Sequence, residues 1–208
     1  MTAGRKGWWR ENRWWLPGLP LAAVAMAVAS GYQLEDYWWD KGLHHESAAA
    51  DQGRAVRVTQ DYTDYLGTTS RTYEVRLTGL DETDEVTTEL FEGPRPPGEG
   101  QQALVAHLEW AAEPDQALRA CEMALVDSDG RRYDIVGTPP DDACTPEGRG
   151  GPNVPFAEGQ ERGTIPAGED QRPPTWSTDP VFLVPDGVEI TQVLVWWQLP
   201  DYVRLNVA

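Results

Sequence analysis

The sequence predicts an all-β domain, an antiparallel β-sandwich of about seven to nine short strands, preceded by one N-terminal transmembrane α-helix. Three observations predict it. Residues 14–34 carry no charge. From residue 54 onward apolar residues recur at every second position in short runs. The 17 prolines and 20 glycines fall between those runs and form no low-complexity tract. Alternation with period two marks strands buried on one face, and turn residues mark their limits. A chain of 208 residues suffices for one such domain plus an appendage.

In chain order, residues 1–13 form a basic cytoplasmic tail in which Arg5, Lys6, Arg10 and Arg13 oppose only Glu11. Residues 14–34 follow, and at about 1.5 Å per residue a helix of that length covers roughly 30 Å of hydrocarbon. Glu35, Asp36 and Asp40 come after it. The positive flank therefore precedes the helix, which leaves the N-terminus in the cytoplasm and the C-terminal domain outside. Trp8, Trp9, Trp14 and Trp15 gather at one end, with Tyr32, Tyr37, Trp38 and Trp39 at the other, as interfacial anchors do. A cleaved secretory signal, giving a secreted product, is the competing reading, because AVAS from Ala27 to Ser30 fits a cleavage site. The second aromatic cluster favours retention, since a discarded signal has no use for it. Ala23, Ala27 and Gly31 share one helix face and would let two such helices meet as a homodimer.

Residues 35–53 read as a juxtamembrane stalk with His44 and His45 solvated, since adjacent residues rarely point at one metal and only His107 remains as a further imidazole. The sandwich itself is expected over 54–208. Its strands are marked by Val56 and Val58; by Tyr73, Val75 and Leu77; by the run 86–91; by Leu104, Ala106, Leu108 and Trp110; and by Cys121, Met123 and Leu125. Tyr133 to Val136, Val181 to Val184, Val193 to Leu199, and Val203, Leu205 and Val207 complete the set.

A Pro/Gly-rich segment at 137–178 is too long for an ordinary connection and reads as a mobile loop or the working surface. Phe156 and Trp176 are its lone large aromatics, as binding anchors or as tacks onto the sandwich. Trp196 and Trp197 are adjacent, so they point to opposite faces of one strand. One belongs in the core; the other is a binding anchor or lies under the long loop.

Cys121 and Cys144 are the only cysteines. Outside the membrane they favour a disulfide, which would tie the long loop to a core strand and contribute roughly 3 kcal/mol on a chain-entropy estimate. Two acidic turns offer oxygen ligands to Ca2+: Asp81 and Asp84 with Glu82 and Glu85, and separately Asp127 and Asp129 before Gly130. Ordinary hairpin chemistry, with Gly130 supplying positive φ, accounts for the second equally well. No nucleophile elbow, zinc-binding His pair or phosphate-cradling glycine loop is present, so no catalytic residue is assigned and the chain is not read as an enzyme.

From Glu35 onward 33 acidic residues face 13 basic ones, a net of −20. Such a surface repels nucleic acid and anionic lipid headgroups and attracts cations and basic partners. Two lysines against fifteen arginines, with abundant alanine, suggest a GC-rich genome and hence an actinobacterium.

The runs ALVDSDGRRYD (124–134), GTIPAGED (163–170) and FLVPDGVEITQVLVW (182–196) together resemble the immunoglobulin-like domains of unknown function on bacterial lipoproteins and small membrane proteins. The N-terminal WWRENRWW and DYWWDKGLHHE are similar to small uncharacterised actinobacterial single-pass proteins. The resemblance implies an immunoglobulin-like sandwich and no catalytic residue. The chain departs from the lipoprotein form in lacking a lipidated cysteine. The expected role is a membrane-anchored extracytoplasmic binding or assembly module whose partner is an envelope or membrane protein. A calcium-dependent adhesion domain and an envelope hydrolase are the alternatives.

Overall fold

The structure, a computed structural model, describes residues 18–34, 42–86, 93–136 and 143–208. It separates into two compact units, Met1–His44 and His45–Ala208. In the first, α1 (Gly18–Leu34) is a helix of 17 residues, about 25 Å long. Its Leu19, Leu21, Val24, Met26 and Val28 are all exposed. At about 100° per residue they are spread around the helix and not gathered on one stripe. Among the described residues no helix is long and apolar enough to cross a membrane. Residues 14–17 of the expected span lie outside the described residues, as do Trp8, Trp9, Tyr37, Trp38 and Trp39 of its flanks.

The second unit is a β-sandwich of ten strands among the described residues: β1 (His45–Asp51), β2 (Val56–Asp64), β3 (Gly67–Thr83), β4 (Gln101–Ala111), β5 (Glu122–Asp127), β6 (Arg132–Asp134), β7 (Thr175–Thr178), β8 (Val181–Pro185), β9 (Ile190–Trp196) and β10 (Asp201–Asn206). One sheet has the order β1-β10-β9-β5-β6 and the other β2-β3-β4-β7, with β8 also on β4. β7 and β8 pair with successive stretches of β4, so they act as one edge strand interrupted at Asp179 and Pro180. The inner faces supply the core, with Tyr73, Val75, Leu77, Leu108 and Trp110 on one side and Met123, Leu125, Val193, Val195, Val203 and Leu205 on the other. The sheets are joined along one side, where Ile135 bridges Phe182 and the Val136 amide donates to Val181 O at 3.0 Å.

The structure corrects the sequence reading in three places. Residues 45–51 are no stalk: they form β1, which pairs in parallel with β10 from His45↔Asp201 to Asp51↔Asn206. That pairing makes the sheet mixed where a purely antiparallel one was expected. Ala48 and Ala50 pack against the core, but side chains that small give little apolar signal in a sequence. The long loop ends at residue 174, because 175–178 form β7 with Trp176 and Thr178 turned inward. Of the expected strand at 86–91, Val86 makes a two-way bridge with Arg95; residues 87–92 lie outside the described residues. Finally, β2, β3 and β4 follow one another in a single sheet, whereas the immunoglobulin order brings in two strands, A and B, before crossing.

The sandwich has two distinct poles. At the proximal pole β1 begins and β2 ends. There the His45 amide donates to Pro200 O at 3.1 Å, and the Thr63 amide donates to Gln198 Oε1 at 3.3 Å. At the distal pole the turn after β5 meets the turn before β9 through Ser128 N and Glu189 O, 2.9 Å apart.

Candidate functional site

The proximal pole carries the long loop, residues 143–174, and the structure shows how it is fastened. The Cys121–Cys144 disulfide is formed, with Cα atoms 6.0 Å apart, as an oxidising, extracytoplasmic compartment allows. Trp176 Nε1 donates to Cys144 O at 2.9 Å, and the Trp176 ring stacks on Trp110 at 6.3 Å. Trp176 is therefore the tack of the sequence reading and not an exposed anchor.

Three arginines complete the fastening. Arg172 is 1% exposed. It lies 4.6 Å over the Trp176 ring and donates to Gly150 O at 3.1 Å and Glu113 O at 2.9 Å. Burial pushes its guanidinium down to about 10. A Cβ at Gly150 would stand 2.5 Å from the Arg119 guanidinium carbon, and one at Gly151 would stand 2.9 Å from Arg172 Nη1. This glycine pair is what lets both side chains reach the backbone. Arg119 donates to Gly151 O at 2.9 Å and pairs with Glu169. Arg162 forks onto both oxygens of Asp64 at 2.8 Å and also reaches Gly67 O. That fork is a strong charge-assisted geometry, and its hydrogen bonds hold the Asp64 carboxyl below the usual range.

Beneath the loop lies an aromatic cluster. Arg71, 4% exposed, sits 4.0 Å over the Tyr62 ring and 5.3 Å from that of Trp197, and burial lowers its pKa. Trp197 packs 4.7 Å from Tyr73 and donates to Leu118 O at 3.1 Å. Trp196 faces the other way yet is only 3% exposed, with Arg132 5.6 Å from its ring. Neither tryptophan is thus an exposed anchor.

Phe156 is different, at 75% exposed. The structure adds two residues that the sequence reading missed, Tyr65 and Leu66 in the β2–β3 turn, at 57% and 49% exposed. The Tyr65 amide donates to Pro155 O at 3.1 Å, which sets that turn against the residue preceding Phe156. Gln160 Oε1 in turn accepts from the Phe156 and Ala157 amides. Among the described residues of the sandwich, these three are the only large apolar side chains left exposed. The signal was present in the sequence, since two large apolar residues occupied a hairpin tip that normally takes Asn, Asp or Gly.

In the acidic turns Asp127, Asp129 and Asp81 have protein partners. Asp127 Oδ1 accepts from the Asp129 and Arg131 amides at 2.9 and 2.8 Å, and Oδ2 accepts from the Tyr133 hydroxyl at 2.7 Å. Burial alone would push its carboxyl up, but these hydrogen bonds and the Arg131 charge outweigh it and hold the group below the usual range. Asp129 pairs with Arg131 at 3.0 Å. Asp81 contacts His107 Nε2 at 3.2 Å, while Asp179 holds Nδ1 at 2.6 Å. The two carboxylates approach different nitrogens of one ring. Asp84 is exposed. No group of three or more His, Cys, Asp or Glu among the described residues is placed to hold a metal.

No family model and no curated protein matches the chain. Among solved structures it is similar to the secreted protein MPT63 of Mycobacterium tuberculosis, at 15% identity over 76% of this chain and 95% of that one, with a TM-score of 0.40. It is also similar to an uncharacterized β-sandwich protein from Clostridium difficile, at 10% identity over 78% and 95% of the two chains, with a TM-score of 0.37. A conserved hypothetical protein from Bacillus anthracis follows at 14% identity over 69% and 89%, with a TM-score of 0.34. Likenesses this distant give no residue of the site a role.

Proposed function

We propose that the chain is a membrane-anchored extracytoplasmic binding module whose working surface is the proximal pole. The observation that carries this reading is the exposure of Tyr65 and Leu66 on the β2–β3 turn and of Phe156 on the neighbouring loop, which is fastened by a disulfide and by Arg172 and Arg119. A loop so constrained loses little freedom on contact, which is how preorganised surfaces gain affinity. Binding is favoured over catalysis because the conspicuous titratable groups are already committed, Asp127 to its turn, Asp64 to Arg162 and both His107 nitrogens to carboxylates. The acidic remainder of the surface suits a basic envelope or membrane protein.

The anchor reading rests on the 21 uncharged residues at 14–34, on their opposite-charged flanks and on the apolar side chains spread around α1. Protein isolated from its native host tests it. An N-terminus at or near Met1, with retention in the membrane pellet after alkaline carbonate washing, is the expected result. A mature N-terminus at Val28 or Ser30, with release into the medium, would overturn the anchor. Photo-crosslinking from Phe156 in native membranes then tests the surface; adducts no more abundant than from the distal Asp129 would reject it.

A further inference from the structure

We infer that the proximal pole docks on the outer leaflet of the same bilayer that holds the N-terminal segment, with Tyr65, Leu66 and Phe156 seated among the lipid headgroups and upper acyl chains. The inference rests on the anchor reading above and deepens it by naming the partner of the surface. The first argument is where the chain joins the sandwich. His45, the first residue of β1, is bonded to Pro200 and Asp201, at the same pole as Thr63 and the tip of the β2–β3 turn. Only residues 35–44 separate it from α1, a tether that spans at most about 35 Å when fully extended. The chain therefore enters the sandwich at the pole that carries its exposed apolar residues, and the distal pole lies a strand length farther along the fold.

The second argument is chemical. One tyrosine with a polar tip and two wholly apolar side chains, on a rim that also carries charge, match the composition of side chains that settle at a membrane interface. The charges beside them, Asp61, Glu158 and Glu161, are exposed and acidic, and Arg162 is already paired with Asp64. These described charges offer anionic headgroups no attraction. The contact is apolar, suits zwitterionic lipid and is insensitive to salt.

The test uses the full chain in phosphatidylcholine vesicles, with a photo-crosslinking residue placed in turn at Tyr65, at Phe156 and at Asp129 on the distal pole. The expected result is lipid adducts several-fold more abundant at the first two positions than at the third, unchanged in high salt. With the crosslinker at Phe156, the further substitutions Tyr65→Ser and Leu66→Ser should remove most of the adduct while the melting temperature holds. Equal lipid yields at all three positions, or protein adducts in place of lipid at Phe156, would overturn the docking while the chain still floats with the vesicles. Failure of the chain to float would overturn the anchor reading itself, and flotation alone tells the two failures apart.

Discussion

At the distal pole one carboxylate, Asp127, organises its turn from within, through donors two, four and six residues along the chain. The proximal pole is closed by pairs far apart in sequence: Cys121 with Cys144, Arg172 with Glu113, and Arg162 with Asp64. The distal device can form as soon as its hairpin does. The proximal one forms only when the whole sandwich has brought its parts together, so its stability is tied to the global fold. A loop of over thirty residues is thereby made part of the rigid body.

That contrast can be broken by mutation, and the largest effect is expected at Trp176. Trp176→Ala removes the ring stacked on Trp110 and orphans Cys144 O, at a cost of about 3–5 kcal/mol in urea unfolding. Amide exchange should rise across 143–174 and stay slow at 127–131; equal loss at both poles would refute the independence of the two devices. Reducing the disulfide, or replacing both cysteines by alanine, should cost about 3 kcal/mol with the same loop-confined rise in exchange. Arg172→Ala leaves the Gly150 and Glu113 carbonyls without their donors, and about 2 kcal/mol is expected from that loss.

Acid sharpens the comparison, because each pole owns one carboxyl held below the usual range, Asp127 and Asp64. As pH falls the unfolded chain takes up these protons first. The stability they contribute is whole above about pH 4 and is lost as pH falls through their lower folded values. Asp127→Asn and Asp64→Asn should each flatten part of the acid limb of a stability–pH curve, but only the second should loosen 143–174. Millimolar calcium should leave the melting temperature unmoved, since the Asp127 oxygens already have their donors. The smallest effect on stability, within about 0.5 kcal/mol, is expected from Tyr65→Ser, Leu66→Ser and Phe156→Ser, which bear on contact and not on folding.

The legibility of the two poles followed the same divide. Strands with large alternating residues, such as Tyr73 to Leu77 and Leu104 to Trp110, were readable because periodicity is local. The cysteine pair was readable because it had no rival partner. β1 escaped notice because HESAAAD half-buries only a serine and two alanines, and β7 because four residues are too few to show a period. The DSDG turn was visible but ambiguous, since the same carboxylate chemistry serves a cation or a set of N–H donors; only the distances decide. The arginine fasteners left no pattern at all, for nothing near Arg119 or Arg172 in sequence announces the glycines at 150 and 151 that receive them.

The parallel pairing of β1 with β10 also bears on how the domain resists force. The chain arrives at the proximal end of β1 and leaves at the distal end of β10, where Val207 N is bonded to Thr191 O. A pull between the N-terminal segment and the end of β10 runs along both strands in opposite senses. It loads the paired positions from His45 to Asp51 together, as a shear, and does not peel them one at a time. That arrangement sets a high mechanical threshold before the first strand lets go.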